Sequence, residues 1–177
     1  MMSIDPRTPV LVGQGQVVNH IESLRDALEP TELIADAVRR AIKDAEIVSL
    51  PEIDALHVVR LLSWKYANPA LTVASMLQIS AREHGTTPHG GNMPQLLINR
   101  LSAQIQRGEL ELAIIAGGEA SNSRAKAHRE NFTLNWSEPK SGLPIAKNIV
   151  EDVAMSSEAE IARKIILPIQ IYPMFES

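Results

Sequence analysis

The stretch "LELAIIAGGEAS" spans residues 110–121, and its apolar centre stops abruptly at Gly117 and Gly118. A short apolar run that is ended by glycine is typical of a strand buried inside a sheet. Strands of this kind, apolar on both faces, occur mainly in parallel sheets that are covered by helices. The stretch therefore predicts a buried strand that ends at the two glycines.

Similar apolar runs occur earlier in the chain. Residues 9–13 (PVLVG) and residues 53–62 (IDALHVVRLL) are predicted as two further strands. A weaker strand is predicted at residues 84–87.

Helical patterns lie between the predicted strands. Pro30 opens a helix whose apolar residues recur at three- and four-residue spacing as far as Ala45. Asn68 and Pro69 resemble a cap and a first-turn proline, and they predict a second helix. A third helix is predicted at residues 93–107, with the buried residues Leu97, Ile98, Leu101 and Ile105. This alternation predicts an α/β fold with a mainly parallel sheet and right-handed crossovers.

The chain of 177 residues is expected to form one domain with three parts. Residues 1–120 are predicted to form the alternating core. Residues 121–150 are polar, contain glycine and proline, and are predicted to be a long loop. Residues 151–177 are predicted to form a helix followed by an apolar C-terminal segment.

Composition excludes several classes of function. The net charge of -4 and the absence of a block of Lys or Arg argue against nucleic-acid binding. The chain has no cysteine, which excludes disulfides, thiolate metal sites and a thiol nucleophile. The histidines lack metal-ligand spacing with carboxylates, so no metal site is expected. No segment reaches transmembrane length, so a protein without membrane contact and with a cytoplasmic location is predicted.

One glycine motif offers an alternative function. Residues 13–18 (GQGQVV) follow a predicted strand and mimic the start of a dinucleotide-binding loop. The third glycine position is occupied by Val18, and the next helix begins too late. A turn at the end of a strand is the simpler interpretation, and a nucleotide-binding domain is the alternative.

Three segments together resemble a known family. The segments are PVLVGQGQ at residues 9–16, LELAIIAGGEAS at residues 110–121 and MSSEAEIARK at residues 155–164. They resemble the thiolase superfamily of acetyl-CoA acetyltransferases, and most closely the branch related to sterol carrier protein-type thiolases. In the third segment, Met155, Ala159 and Glu160 match the family pattern, whereas Ser156 and Glu158 depart from it. The resemblance covers the N-terminal part of the family and implies the N-terminal half of a thiolase-like fold, with helices on both faces of the sheet.

The resemblance also implies a site. The resemblance implies that the nucleophilic cysteine of the family, which stands at the N-terminus of the third helix, falls on Asn92 or next to it in this chain. Helix-end N–H groups at that position favour a thiolate and a developing oxyanion, but asparagine can neither ionise nor carry an acyl group. The catalytic candidates are Asn92 and His89, and the substrate-binding candidates are Gly90, Gly91, Gly117 and Gly118.

A structural role for Asn92 is the alternative to a functional one. Asparagine is a favoured N-cap residue, and its side-chain oxygen could accept a hydrogen bond from the N–H of Gln95. Pro94 then occupies the first turn, where its missing donor is not needed. Capping and ligand contact are compatible with each other.

The function implied by the resemblance is that of a thiolase-like acyl-CoA acyltransferase, or a part of one, without the family's nucleophilic cysteine. The alternative is a degenerate relative that binds acyl-CoA or a partner without catalysis. A coenzyme A thioester is the expected substrate, with no tightly bound cofactor. The apolar residues near the C-terminus predict a homo-oligomer or a C-terminal partner half.

Overall fold

The computed structural model describes residues 5–47, 52–138, 142–154, 156–165 and 168–176. The strands are β1 (Ile53–Val58), β2 (Ala81–Thr86), β3 (Ala113–Ala116) and β4 (Lys147–Asn148). The helices are α1 (Pro30–Asp44), α2 (Pro69–Leu77), α3 (Met93–Gln106), α4 (Ser121–Arg129), α5 (Glu158–Ala162) and α6 (Pro168–Ile171). Single 3₁₀ turns are formed by Leu24–Asp26 and Tyr172–Met174.

The four strands form one parallel sheet in the order β3-β1-β2-β4. From β1 the chain crosses to β2 on one side, and from β2 it returns to β3 on the other side. Because right-handed crossovers in opposite directions lie on opposite faces, α2 and α3 cover opposite faces of the sheet. All six residues of β1 are buried. The predicted parallel sheet with helices on both faces is confirmed.

The core lies between the sheet and the pair α1 and α2. Ile34 and Val38 from α1 pack with Leu56 and Val58 from β1 and with Val73 from α2. Fully burying side chains of this size contributes about 1.5–3 kcal/mol each. The three- and four-residue spacing in α1 brings its apolar residues to the sheet, as predicted.

The predicted cap of α2 is confirmed, whereas one of the residues predicted to be buried in α3 is exposed. Asn68 caps α2, because its side-chain oxygen accepts a hydrogen bond from the N–H of Leu71 at 3.0 Å. In α3, Leu97 and Leu101 are buried, but Ile98 is 48% exposed. Ile98 follows Leu97 by about 100° around the helix, which turns it away from the sheet. The prediction that Ile98 is buried is therefore wrong.

The predicted strand at residues 9–13 does not form. Its apolar residues are exposed: Val10 is 72% accessible and Leu11 is 87% accessible. The next residues pack on α1 instead, because a Cβ added at Gly13 would lie 2.3 Å from the carbonyl oxygen of Ala41. A Cβ at Gly15 would lie 2.0 Å from a neighbouring carbonyl oxygen of the same helix. Close packing of this extended segment on the helix, rather than strand pairing, explains the glycines.

The polar segment at residues 121–150 is not a continuous loop, which corrects the prediction. Its first nine residues form α4, in which Ala127 is the buried residue. A helix with so small an apolar contact shows no amphipathic period in the sequence. Further along, β4 joins the edge of β2, with Lys147 opposite Gly85 and Asn148 opposite Thr86. This pairing uses backbone groups, so the side chains give little indication of it.

Most of the C-terminal part is exposed where the structure describes it. Ser157 caps the short helix α5, in agreement with the helix predicted after residue 151. The apolar residues Ile161, Ile169 and Phe175 are 53%, 79% and 80% exposed. Met155, Ile166 and Leu167 lie outside the described residues. Among the described residues, no helix is long and apolar enough to cross a membrane.

Candidate functional site

The carboxyl ends of the parallel strands meet at one edge of the sheet, where an open crevice of about 360 Å³ lies. In open α/β sheets, ligands bind outside this edge. The loops that follow β1 and β3 form most of the crevice, and the first turn of α3 completes it. Its lining consists of Val59, Arg60, Leu61, Pro94, Ile115, Ala116, Gly117, Gly118 and Glu119.

Gly117 and Gly118, both predicted to bind substrate, line the crevice but differ in their surroundings. A Cβ added at Gly118 would lie 2.9 Å from Ile34 Cγ1 and 3.3 Å from the carbonyl oxygen of Pro30. Gly118 therefore lets the first turn of α1 approach the end of β3. A Cβ at Gly117 would lie 3.4 Å from the nearest atom, a carbon of Val59, which is an ordinary contact.

The two glycines provide a matched pair of substitutions. We expect Gly118→Ala to lower the free energy of unfolding by about 1–3 kcal/mol, because the added methyl group overpacks a fully buried contact with Ile34. Gly117→Ala is expected to change it by less than about 0.5 kcal/mol. Urea unfolding followed by circular dichroism measures both. Equal losses in the two variants would contradict the packing role of Gly118.

The predicted residues before α3 lie at the same edge, in the loop that joins β2 to α3, but they do not line the crevice. His89, Gly91 and Asn92 are exposed, and Gly90 is half-buried. An added Cβ at Gly91 would meet no atom within 4 Å, so protein packing does not require this glycine. The roles of these four residues remain predictions.

Asn92 occupies the N-cap position of α3 but does not cap it with its side chain. The expected hydrogen bond from Gln95 is absent, which corrects the prediction. Asn92 already has helical backbone angles (φ −84°, ψ −8°), and its Oδ1 lies over Gly90, 2.7 Å from where a Cβ would stand. The N–H of Met93 donates to the carbonyl oxygen of Gly90 instead, at 3.1 Å.

Sequence reasoning missed the polar residues that hold the crevice together. The Glu119 carboxylate accepts hydrogen bonds from the N–H groups of Leu62 and Ser63, at 2.6 and 2.7 Å. Ser63 Oγ in turn accepts from the N–H of Ala120 at 3.0 Å. These bonds tie the loop after β1 to the loop after β3. The indication available in the sequence was an acidic residue directly after the two glycines.

Arg60 was missed because the strand was predicted to extend to residue 62, whereas β1 ends at Val58. The N–H of Arg60 donates to Thr87 Oγ1 at 3.1 Å, which joins the ends of β1 and β2. Its side chain is exposed and lines the crevice. A charged residue at the end of an apolar run was the available indication.

The buried histidine of the sheet lies outside the crevice. His57, in β1, is fully buried, and neither ring nitrogen has a hydrogen-bond partner among the described residues. Burial lowers the pKa of His57 below its ordinary value, although the carboxylate of Glu83, 3.4 Å from Nε2, acts in the opposite direction. Burial also lowers the pKa of His84. Within the described ranges, no group of three or more potential ligands could hold a metal ion.

A second cavity of about 530 Å³ lies between residues 14–16 and the C-terminal half of α1. It includes Gly15, but no helix begins at that point. A dinucleotide loop needs a helix N-terminus directly after its glycines to bind the pyrophosphate. The dinucleotide interpretation of residues 13–18 is therefore wrong. We place the candidate site in the smaller crevice because it lies at the carboxyl ends of the strands.

No protein-family model matches the chain, and the search of curated proteins finds no match. Among solved structures, the chain is similar to a monomeric SCP2-thiolase-like protein type 1 from Mycobacterium smegmatis, with 28% sequence identity and a TM-score of 0.56. The match covers 66% of this chain and 24% of that protein, so the matched region is about a quarter of that protein's length. This chain thus has a thiolase-like fold and is related, over its N-terminal portion, to the SCP2-type thiolase-like proteins.

Proposed function

We propose that this chain binds a coenzyme A thioester at the carboxyl edge of its sheet without forming a covalent acyl-enzyme. The acyl group occupies the crevice beside Ile115, and the thioester carbonyl lies towards the start of α3. His89 is the polar side chain available there for contact with the carbonyl. The observation that supports the proposal is the crevice itself, formed beside the helix start at which the related fold implies a nucleophile.

The shape and lining of the crevice suit a short acyl chain. A volume of about 360 Å³ is at the lower end of the range for small-molecule sites. Val59, Leu61, Pro94 and Ile115 give it mainly apolar walls. Burying the methylene groups of an acyl chain there contributes about 0.8 kcal/mol for each group.

The chain lacks the thiol that covalent transfer of an acyl group would use. The nucleophile position is occupied by Asn92, whose amide does not ionise, and the chain contains no cysteine. Claisen-type chemistry also needs a base that removes a proton from carbon. His89 is the histidine nearest in sequence to the helix start, and it is exposed with no hydrogen bond to any described residue.

The second candidate function is a thiolase-like acyl-CoA acyltransferase of which this chain is a part. The observation that favours this function is that the match covers only 24% of the Mycobacterium smegmatis protein. In this case the catalytic groups are supplied by further polypeptide. Such an arrangement also agrees with the exposed apolar residues at both ends of the described chain.

Two measurements on the purified protein test the proposal. We expect acetyl-CoA to bind in isothermal titration calorimetry, and we expect the intact mass after incubation with acetyl-CoA to be unchanged. Asn92→Cys provides the contrast, because a thiolate at the helix start is expected to take up one acetyl group. A stable, stoichiometric acetyl adduct on the unaltered chain would overturn the non-covalent mechanism.

A charge placed in the crevice locates the binding site. Ile115→Glu should weaken acetyl-CoA binding at least about tenfold, because its carboxylate puts a charge into the apolar wall and, if it pairs with Arg60, occupies the space of the acyl group. Ile161→Glu is the matched control, since Ile161 is also an exposed isoleucine but lies on α5 and is not among the lining residues. Equal affinities for the two variants would place the ligand elsewhere.

The predicted homo-oligomer or C-terminal partner half is part of this proposal, and so are the cytoplasmic location and a role in lipid metabolism. The exposed apolar residues of the N-terminal segment, Val10, Leu11 and Val12, are the surface that favours association. The solved neighbour is described as monomeric, and that description belongs to the neighbour.

A further inference from the structure

Arg60 is the cationic residue of the crevice. It follows β1 directly, and its backbone is held by the hydrogen bond to Thr87 Oγ1. Its guanidinium makes no hydrogen bond or ion pair with any described residue. The position of this residue is therefore constrained, while its charged group is free to bind a ligand.

The nearby acidic residue, Glu119, is bound by backbone groups and not by Arg60. Glu119 lines the same crevice, but its two carboxylate oxygens accept hydrogen bonds from the backbone N–H groups of Leu62 and Ser63. No ion pair joins Glu119 to Arg60 in the part of the chain that the structure describes. The Glu119 carboxylate therefore joins the two loops, whereas the Arg60 side chain lines the crevice without a partner among the described residues.

The remaining lining is apolar, which defines the chemistry of a fitting ligand. Val59 and Leu61 flank Arg60 in the chain, and Pro94 and Ile115 complete the apolar surface. A ligand that matches this surface has a short apolar body and one anionic group. Arginine is suited to that group, because its planar guanidinium binds carboxylate or phosphate with two parallel hydrogen bonds.

We propose that Arg60 binds an anionic group of the acyl-CoA ligand, and that this group is a carboxylate at the far end of the acyl chain. The inference rests on the proposed function, and it narrows the substrate class to thioesters of short dicarboxylic acids. The phosphates of coenzyme A are the other source of anionic charge. The crevice, at about 360 Å³, favours the acyl end, because it accommodates a chain of a few carbons more readily than a nucleotide.

The test compares glutaryl-CoA with pentanoyl-CoA, two thioesters of equal chain length that differ in the terminal carboxylate. Calorimetric titration of the unaltered chain should show glutaryl-CoA binding about tenfold to a hundredfold more tightly. Arg60→Gln should remove this preference and leave the affinity for pentanoyl-CoA within about twofold. Arg60→Lys, which keeps the charge and loses the planar fork, should retain part of the preference.

Arg25→Gln is the matched control, because Arg25 is an exposed arginine outside the crevice lining. It should keep the full preference. Far-UV circular dichroism and the urea midpoint establish that the Arg60 variants are folded, as is expected for a surface side chain without partners.

The outcomes separate this inference from the function on which it rests. If the unaltered chain binds neither thioester, the proposed function fails and the inference fails with it. If the unaltered chain binds both thioesters without preference, or if Arg60→Gln keeps the full preference for glutaryl-CoA, the role of Arg60 is overturned while thioester binding stands. If Arg60→Gln weakens both thioesters by the same factor, the anion belongs to the coenzyme phosphates, and the dicarboxylic substrate class is overturned.

Discussion

Replacing Glu29 by alanine is expected to lower the free energy of unfolding by about 3 kcal/mol. Glu29 is only 3% exposed, and its carboxylate accepts hydrogen bonds from Thr31 Oγ1 at 2.8 Å and from Ser137 Oγ at 2.9 Å. The N–H of Ser137 also donates to it, at 2.7 Å. Removing the carboxylate leaves the fully buried Thr31 hydroxyl and the half-buried donors of Ser137 without this acceptor, which costs more than the loss of a solvated hydrogen bond.

Tryptophan fluorescence should report the effect of Glu29→Ala. The chain contains two tryptophans, Trp64 and Trp136, whose rings meet edge to face with centroids 5.1 Å apart. Trp136 Nε1 donates to the carbonyl oxygen of Ala27 at 2.8 Å, and Trp64 Nε1 donates to that of Ser137 at 2.7 Å. Since both tryptophans lie beside the Glu29 contacts, their fluorescence should shift to longer wavelength in Glu29→Ala.

Urea unfolding, followed by circular dichroism and by tryptophan fluorescence, measures the effect. Glu22→Ala is the control, because Glu22 is exposed and its carboxylate makes no hydrogen bond with the described residues. It should change the free energy of unfolding by less than about 0.5 kcal/mol. A Glu29→Ala protein as stable as the control, with unshifted fluorescence, would show that the buried carboxylate contributes nothing to the fold.

The helices were predictable from the sequence where an apolar face packs on the sheet. In α1, residues such as Ile34 and Val38 recur at the helical period because each must reach the same sheet surface. Pro30 and Asn68 mark helix starts through backbone requirements that are local in the chain. Local requirements of this kind can be read without knowledge of the fold.

Elements whose contacts are distant or made by the backbone were not predictable. An apolar run at residues 9–13 has the composition of a strand, but Val10 and Leu11 have no neighbouring strand to pair with among the described residues. Conversely, β4 pairs with Gly85 and Thr86 through backbone groups, although its own residues are polar. An apolar pattern predicts buried side chains, but the apolar run at residues 9–13 is neither buried nor paired, and the polar residues of β4 are paired through their backbone.

The candidate site was predictable in part. The order of strands and helices places Gly117, Gly118 and the start of α3 at one edge of the sheet, so their proximity follows from topology. The crevice also depends on Arg60 and on the hydrogen bonds of Glu119 to the loop after β1. That loop precedes Glu119 by more than 50 residues in the chain, and no local pattern indicates that the two meet.

The buried carboxylate of Asp54 gives the other large expected effect, because it joins three strands near their amino ends. Asp54 is 5% exposed, and its Oδ2 accepts hydrogen bonds from the N–H groups of Glu111 at 2.5 Å and Leu112 at 3.0 Å. Its Oδ1 forms an ion pair with the guanidinium of Arg82, in β2. Asp54→Ala removes all of these acceptors and should lower the free energy of unfolding by about 3–5 kcal/mol.

Two further variants separate the contributions in the same urea unfolding experiment. Arg82→Ala should cost less than Asp54→Ala, because Asp54 then keeps both backbone donors and gains access to water. Asp36→Ala is the surface control, since its ion pair with Arg39 is exposed and such pairs contribute about 0–1 kcal/mol. If Arg82→Ala is as damaging as Asp54→Ala, the ion pair carries the stabilisation. The expected order instead attributes the stabilisation to the hydrogen bonds from the two N–H groups before β3. These bonds hold the start of β3 against β1, and so they fix the position of β3, whose other end lines the crevice.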